Sequence, residues 1–293
     1  MPTSLPTSRA TAPIVASRPT STPATAEPKF SGTLAEAQRL LAAGKLVAAR
    51  TIFATELNSG KLSDADNALV RQSLLDLADR MIFSREVVAG DPCTFGYQVR
   101  PGDMIIRIER EQKLHVPTQL ITSINNIKAN KLVVGQTLKL IRGPFHAVVY
   151  KSRFLMDLYL QESDSGRMIL VKSFKVGLGK DGCTPLGKWR PALGGKIKQA
   201  PWAAPPAAGQ PTNRTVRWGE EGYPLGKEGY WISLEGIEGN ALSSGDGYGI
   251  HGTNEPDSIG KAASMGCIRL SDPDIESVFS LLYEQWSTVT ILP

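Results

Sequence analysis

Side chains that bind metals or carry reactive groups are scarce in this 293-residue chain, which has 3 Cys (Cys93, Cys183, Cys267) and 3 His (His115, His146, His251). A structural zinc site takes four such ligands at close spacing. Only His251 and Cys267 stand near one another, so neither a metal nor any other cofactor is expected. Runs of Lys or Arg are missing as well. Lys+Arg 33 against Asp+Glu 28 leaves a net charge of +5 with no basic run of the kind that grips nucleic acid. Residues 1–30 lack a long apolar stretch: they are rich in Pro, Ser, Thr and Ala, with Arg9, Arg18 and Lys29 between. That excludes both the apolar core of a secretory leader and a twenty-residue membrane span, and it reads as a disordered tail over 1–32. Three cysteines neither demand nor exclude an oxidising compartment; Cys93 and Cys183 are free to pair, whereas a reactive Cys267 has to stay unpaired.

The length suits two or three folded parts. Over residues 33–90, Leu34, Ala37, Leu40 and Leu41 share one helical face, Gly44 interrupts, and Leu46, Ala49, Ile52, Phe53 and Leu57 resume it. Ser63 then has the character of an N-cap for a longer helix carrying Leu69, Leu74, Leu77, Ala78 and Ile82. The pattern resembles one and a half tetratricopeptide repeats. A stable solenoid needs at least three, so a helical spacer or small docking module is expected.

Residues 95–142 begin with Tyr97-Gln98-Val99-Arg100, a strand that turns at Pro101-Gly102-Asp103. A helix with Ile105, Ile108 and Leu114 on its apolar positions follows, with His115 placed on its surface. Val116-Pro117, Leu120-Ile121 and Ile124-Asn125-Asn126 come next, and Leu138 to Ile141 close the segment as a strand. The order resembles a LysM module, matched at Gly102, Asp103, Asn125, Leu132 and Gly135, which implies a β-α-α-β unit that holds N-acetylglucosamine-containing glycans.

From residue 145 onward, short alternating runs announce strands: Ala147–Tyr150, Phe154–Leu160, Arg167–Val171 and Phe174–Gly177. Gly194 to Gly229 reads as a long loop without regular structure, of the kind that usually carries function. Asp272-Pro273-Asp274 opens a helix through Leu282, and Val289 to Leu292 form a last strand.

Chemistry concentrates at Tyr248-Gly249-Ile250-His251-Gly252-Thr253 and Ser264-Met265-Gly266-Cys267-Ile268-Arg269-Leu270. A thiol at its ordinary pKa is mostly protonated near neutrality and needs a base or an electropositive pocket to react. His251 is the candidate base, and the backbone N–H groups of Gly266 and Cys267 are candidate oxyanion donors. Together with Pro256, Ile259-Gly260 and, upstream, Thr184-Pro185-Leu186-Gly187, Pro201-Trp202, Tyr223-Pro224-Leu225-Gly226 and Trp231, these stretches resemble the L,D-transpeptidase (YkuD-like) catalytic domain over residues 145–293. The resemblance implies Cys267 as nucleophile, His251 as general base and acid, and Gly252, Thr253, Ser264 and Arg269 near the substrate. Arg269 is read either as a partner of a stem carboxylate or as a salt-bridged framework residue. Met265 stands where most of that family has a second histidine, so a single imidazole is expected to serve.

The fold class expected is therefore α+β and multidomain: the helical segment, the LysM-like module, and a mostly antiparallel β-sandwich or barrel-like catalytic domain. The partners implied are peptidoglycan stem peptides and glycan strands, with no nucleic acid and no metal. The place of action implied by the family is the cell envelope, by an export route the sequence does not display. The activity the resemblance implies is cross-linking of stem peptides by transpeptidation through a thioester on Cys267; L,D-carboxypeptidation, anchoring of a protein lysine, and non-enzymatic wall binding by the LysM-like module are the alternatives.

Overall fold

The computed structural model describes residues 32–203, 215–245 and 247–293, so the tail expected over 1–32 lies, but for Gly32, outside the described residues. Three helices come first: α1 (Gly32–Ala42), α2 (Leu46–Ser59) and α3 (Asp64–Met81). Gly60, at φ 68°, ends α2 in a left-handed cap, where a Cβ would be strained. The Ser63 hydroxyl accepts from the Asp66 N–H at 3.1 Å, the N-cap that starts α3. Each helix buries its apolar stripe, including Leu34 and Ala37, Ala49 and Phe53, and Val70, Leu74 and Leu77.

The next unit is β1 (Thr94–Gln98), α4 (Ile105–Glu111), α5 (Thr118–Ile124) and β2 (Thr137–Ile141), with β1 and β2 antiparallel. Asn125 locks it: its Nδ2 donates to the Ile121 and Lys139 carbonyls and its Oδ1 accepts from the Lys139 N–H. Asp103 accepts from the Arg100 N–H and the Tyr97 hydroxyl at the turn into α4. His115 is not on the helix surface. It lies past the end of α4 and stacks on Trp286, ring centroids 3.6 Å apart.

Beyond residue 144 the chain forms β3 (Phe145–Tyr150), β4 (Leu155–Gln161), β5 (Met168–Lys175), β6 (Leu178–Gly179), β7 (Gly187–Ile197), β8 (Trp202–Ala203), β9 (Thr215–Val216), β10 (Trp231–Glu238), β11 (Gly249–Gly252), β12 (Ala262–Ser264), β13 (Ile268–Leu270), α6 (Asp272–Leu281) and β14 (Val289–Leu292). Eight strands make one sheet in the order β13-β11-β10-β7-β14-β3-β4-β5. Only the β13/β11 and β14/β3 pairs are parallel, so the sheet is mostly antiparallel. It curls until its edges nearly meet: just past β5, Gly177 exchanges two backbone hydrogen bonds with Arg269 of β13. Two expected runs, 167–171 and 174–177, merge into the single strand β5. The stretch expected as an unstructured loop from Gly194 holds the end of β7 and the short β8/β9 pair.

The three parts share one apolar core. At the junction of the helices with the β-α-α-β unit, Arg50 and Asp91 form a buried ion pair at 2.6 Å. Lys139 Nζ donates to the Met81 and Ser84 carbonyls. Arg71 on α3 pairs with Asp157 on β4 through two hydrogen bonds of 2.7 and 2.5 Å, and Tyr283 donates to Glu109 across the other junction. The helical segment is thus a layer packed on both neighbours and not a spacer. Its buried Arg50 and part-buried Arg71 are each committed to a carboxylate of a neighbouring part, which is how buried charges are tolerated. All three cysteines are free, so Cys93 and Cys183 do not pair.

Candidate active site

β11 lies between β10 and β13, with His251 opposite Trp231 on one side and level with Arg269 on the other. Successive strand residues face opposite ways. Ile250 and Ile268 therefore turn into the core, where both are buried, and His251, Arg269 and Cys267 share the other face. That face opens into a cavity of about 580 Å³ whose walls include Trp202, Trp231, Tyr248, Ser264 and Met265 beside the three. Among the described lining residues Arg269 is the one charged side chain, and it is paired with Glu255 outside the lining. A cavity of the same volume between α4 and Trp286 is lined by Arg107, Arg110 and Lys113 and contains no cysteine.

His251 is buried, with Nδ1 2.6 Å from the Gly252 carbonyl. A carbonyl only accepts, so Nδ1 carries the hydrogen and Nε2 keeps its lone pair. The Trp231 ring lies nearly parallel to the imidazole at 5.5 Å and is itself fixed by donating Nε1–H to Ser233 at 2.7 Å. Burial pushes the His251 pKa down to about 4, partly offset by the Gly252 carbonyl and reinforced by the Arg269 charge. The ring is therefore neutral at pH 7, as a base has to be.

Cys267 is half-buried. Burial raises its thiol pKa, while the Gly249 N–H and the Arg269 charge pull it back. The S–H points to the Gly247 carbonyl at 3.6 Å. At rest the pair is a neutral thiol beside a neutral imidazole. This differs from a thiolate formed in advance, and the cause is desolvation.

The remaining expected residues divide. Ser264 Oγ accepts from the Gly266 N–H at 3.1 Å and donates to the Cys267 carbonyl at 2.6 Å. The Gly266 N–H is thus already engaged by Ser264, unlike the free oxyanion donor expected of it. Gly266 has φ 129°, and a Cβ there would come within 2.7 Å of the Tyr248 ring, so only glycine fits. Thr253 is buried and accepts from the Glu255 N–H, and Gly252 is enclosed by Leu225 and Asp272; neither lines the cavity. Arg269 lines it and also pairs with Glu255 at 2.6 Å, while its buried Nε has no partner. Met265 is 72% exposed on the rim of the cavity. His146 lies elsewhere, between Thr288 and Gln161. The Trp231 ring beside the imidazole depends on the register of β10 against β11, and the Gly247 carbonyl and Gly249 N–H reach the thiol from about 20 residues away, so none of these contacts is legible in the sequence.

A family model described as the L,D-transpeptidase catalytic domain (YkuD) matches residues 144–291, and one described as the LysM domain matches residues 97–140. The YkuD protein of Bacillus licheniformis, which bears the name of an L,D-transpeptidase, is 28% identical over 192 residues, or 64% of this chain and 92% of that protein. An L,D-transpeptidase structure from Mycobacterium smegmatis aligns at 14% identity and TM-score 0.37, covering 55% of this chain and 65% of its own. The structure of LD transpeptidase LdtMt1 in complex with imipenem aligns at 13% identity and TM-score 0.36, covering 55% of this chain and 76% of its own.

Proposed function

The chain belongs to the L,D-transpeptidase (YkuD) family and carries a LysM domain, and from that premise we propose that it cross-links peptidoglycan stem peptides through a thioester on Cys267. The observation that carries this is the single cavity that His251, Cys267 and Arg269 line together on one face of adjacent strands.

Cys267 Sγ attacks the carbonyl carbon of the third residue of a tetrapeptide stem while His251 Nε2 takes the thiol proton. The carbonyl oxygen becomes an oxyanion and accepts from the Cys267 N–H. Collapse breaks the amide bond, and His251 returns the proton to the departing amine of the terminal D-alanine. The thioester is then resolved by the side-chain amine of a third residue on a neighbouring stem, with His251 again taking and returning a proton. A peptide stem brings carboxylates, and Arg269, which lines the cavity and keeps an unpartnered Nε beside its pair with Glu255, is the cation available to them. The aromatic walls Trp202, Trp231 and Tyr248 supply apolar surface for the backbone of the stem. The LysM unit would hold the glycan strand, placing enzyme and polymer together. Such a substrate lies outside the cytoplasmic membrane, and no described helix is long and apolar enough to cross one.

Purified disaccharide-tetrapeptide incubated with the protein tests the proposal by mass spectrometry of the products. The expected result is D-alanine release with a third-to-third dimer. Tripeptide monomer alone would make water the acceptor and the enzyme a carboxypeptidase, and no turnover at all would leave wall binding as the function.

A further inference from the structure

Thr184 follows β6 in the turn that leads to β7, is buried, and has its hydroxyl fixed on both sides. Oγ1 accepts from the Gly179 N–H at 2.8 Å and donates to the Gly266 carbonyl at 3.0 Å. Its own carbonyl accepts from Lys151 Nζ at 2.6 Å, and the same ammonium holds the Gly182 carbonyl at 3.0 Å. The backbones are in direct contact here: a Cβ on Gly179 would sit 2.9 Å from Gly266 Cα and from Thr184 N. Thr184 itself does not line the cavity that holds Cys267.

The Gly266 carbonyl and the Cys267 N–H belong to one planar trans peptide, in which the two bonds point in opposite directions. Holding the carbonyl toward Thr184 therefore turns the N–H the other way. Ser264 fixes the peptides on either side, through the Gly266 N–H and the Cys267 carbonyl, but makes no bond to this one. We infer that Thr184 is a positioning residue for acylation, its hydroxyl setting the direction of the Cys267 N–H through the Gly266 carbonyl; this rests on Cys267 being the nucleophile. Thr184→Val keeps the shape and deletes the hydroxyl, leaving the Gly266 carbonyl and the Gly179 N–H buried without partners.

Two reactions at the same sulfur separate this role from general disruption. Acylation by imipenem passes through a tetrahedral oxyanion, whereas alkylation by iodoacetamide displaces iodide from a saturated carbon and forms none. Both rates are measured on the full chain by mass spectrometry with peptide mapping to Cys267. Thr184→Val is expected to slow imipenem acylation by about 10- to 100-fold, up to the loss of one oxyanion donor, with the alkylation rate and its pH profile unchanged. Thr184→Ser, which keeps the hydroxyl, is expected to restore acylation. Equal acylation by wild type and Thr184→Val, or both reactions slowed alike, overturns the role of Thr184 alone. A wild type that alkylates but is not acylated at Cys267 removes the nucleophile, and this inference with it. Should Thr184→Val not fold, Lys151→Met frees the Thr184 carbonyl from outside the site and is expected to give the same signature at smaller size; its absence there is equally contradictory.

Discussion

Cys93 and Cys267 sit in two regions that burial treats alike and chemistry does not. Cys93 lies where the helical layer meets the LysM unit, its N–H donating to Asp91 beside the Arg50–Asp91 ion pair. Burial pushes its thiol up to about 12, and although the Arg50 charge pulls it back, Asp91 adds to the rise. Burial also raises the Cys267 thiol, but there the Gly249 N–H and Arg269 oppose it, and the sulfur opens onto a cavity shared with a neutral imidazole. A cysteine becomes a candidate nucleophile through a base with a vacant nitrogen and room for a carbonyl, neither of which Cys93 has.

Exchanging the two cysteines' fates gives the largest contrast. Cys267→Ala is expected to abolish D-alanine release from tetrapeptide muropeptides, while Cys93→Ala retains it; activity surviving in Cys267→Ala would end the comparison. His251→Ala is expected to lower the acylation rate by on the order of 10² to 10⁴, the usual contribution of a positioned general base, read as the rate of imipenem adduct formation. Met265→His, on the exposed rim, should barely change that rate.

On the other side of the comparison, Arg50→Met strands the Asp91 carboxylate, whose side chain is fully buried. Urea denaturation is expected to register a loss of about 3–5 kcal/mol, typical when one partner of a buried pair is removed, with kcat preserved under native conditions. A loss below 1 kcal/mol would mean that the Thr94 hydroxyl and the Cys93 N–H, which each donate to Asp91 at 2.9 Å, suffice to hold it.

The remaining contrast concerns pH. The folded pKa of His251 is depressed to about 4, whereas an unfolded histidine titrates near 6.5. Between those values the unfolded chain holds a proton that the native chain lacks, so the stability contributed by a neutral His251 is complete above about 6.5 and falls as pH drops toward 4. His251→Gln should flatten that part of the melting-temperature profile. In the wild type, imipenem acylation should hold level down to about pH 5 before failing as the base becomes protonated. An acid limb centred near 6.5 would mean an imidazole open to water.

Sequence periodicity carried much of the fold because most elements bury a single face. Strand β3 alternates buried and half-buried residues along its length, and Ser63 marks the start of α3 by its own hydrogen bond. The candidate nucleophile and candidate base stand out because glycines cluster around them, and Gly266 occupies a backbone region that side chains avoid. What stayed hidden depends on distant partners. Arg50, Lys139 and Arg71 look like surface charges until Asp91, the Met81 carbonyl and Asp157 arrive from 41, 58 and 86 residues away. For the same reason the helices looked like a spacer. Thr184 stands in the sequence only as part of a family landmark, since the carbonyl it holds is 82 residues further on. The imidazole's neighbour Trp231 comes from the register of β10 against β11.

Trapping the intermediate tests the central assignment most directly. The full chain is mixed with a disaccharide-tetrapeptide, quenched within the first turnover, and mapped by mass spectrometry. The expected result is a disaccharide-tripeptide mass on the peptide containing Cys267, matched by released D-alanine and absent from the Cys93 and Cys183 peptides. Released D-alanine with no adduct on Cys267 at any time point, or an adduct on Cys183 instead, would contradict it.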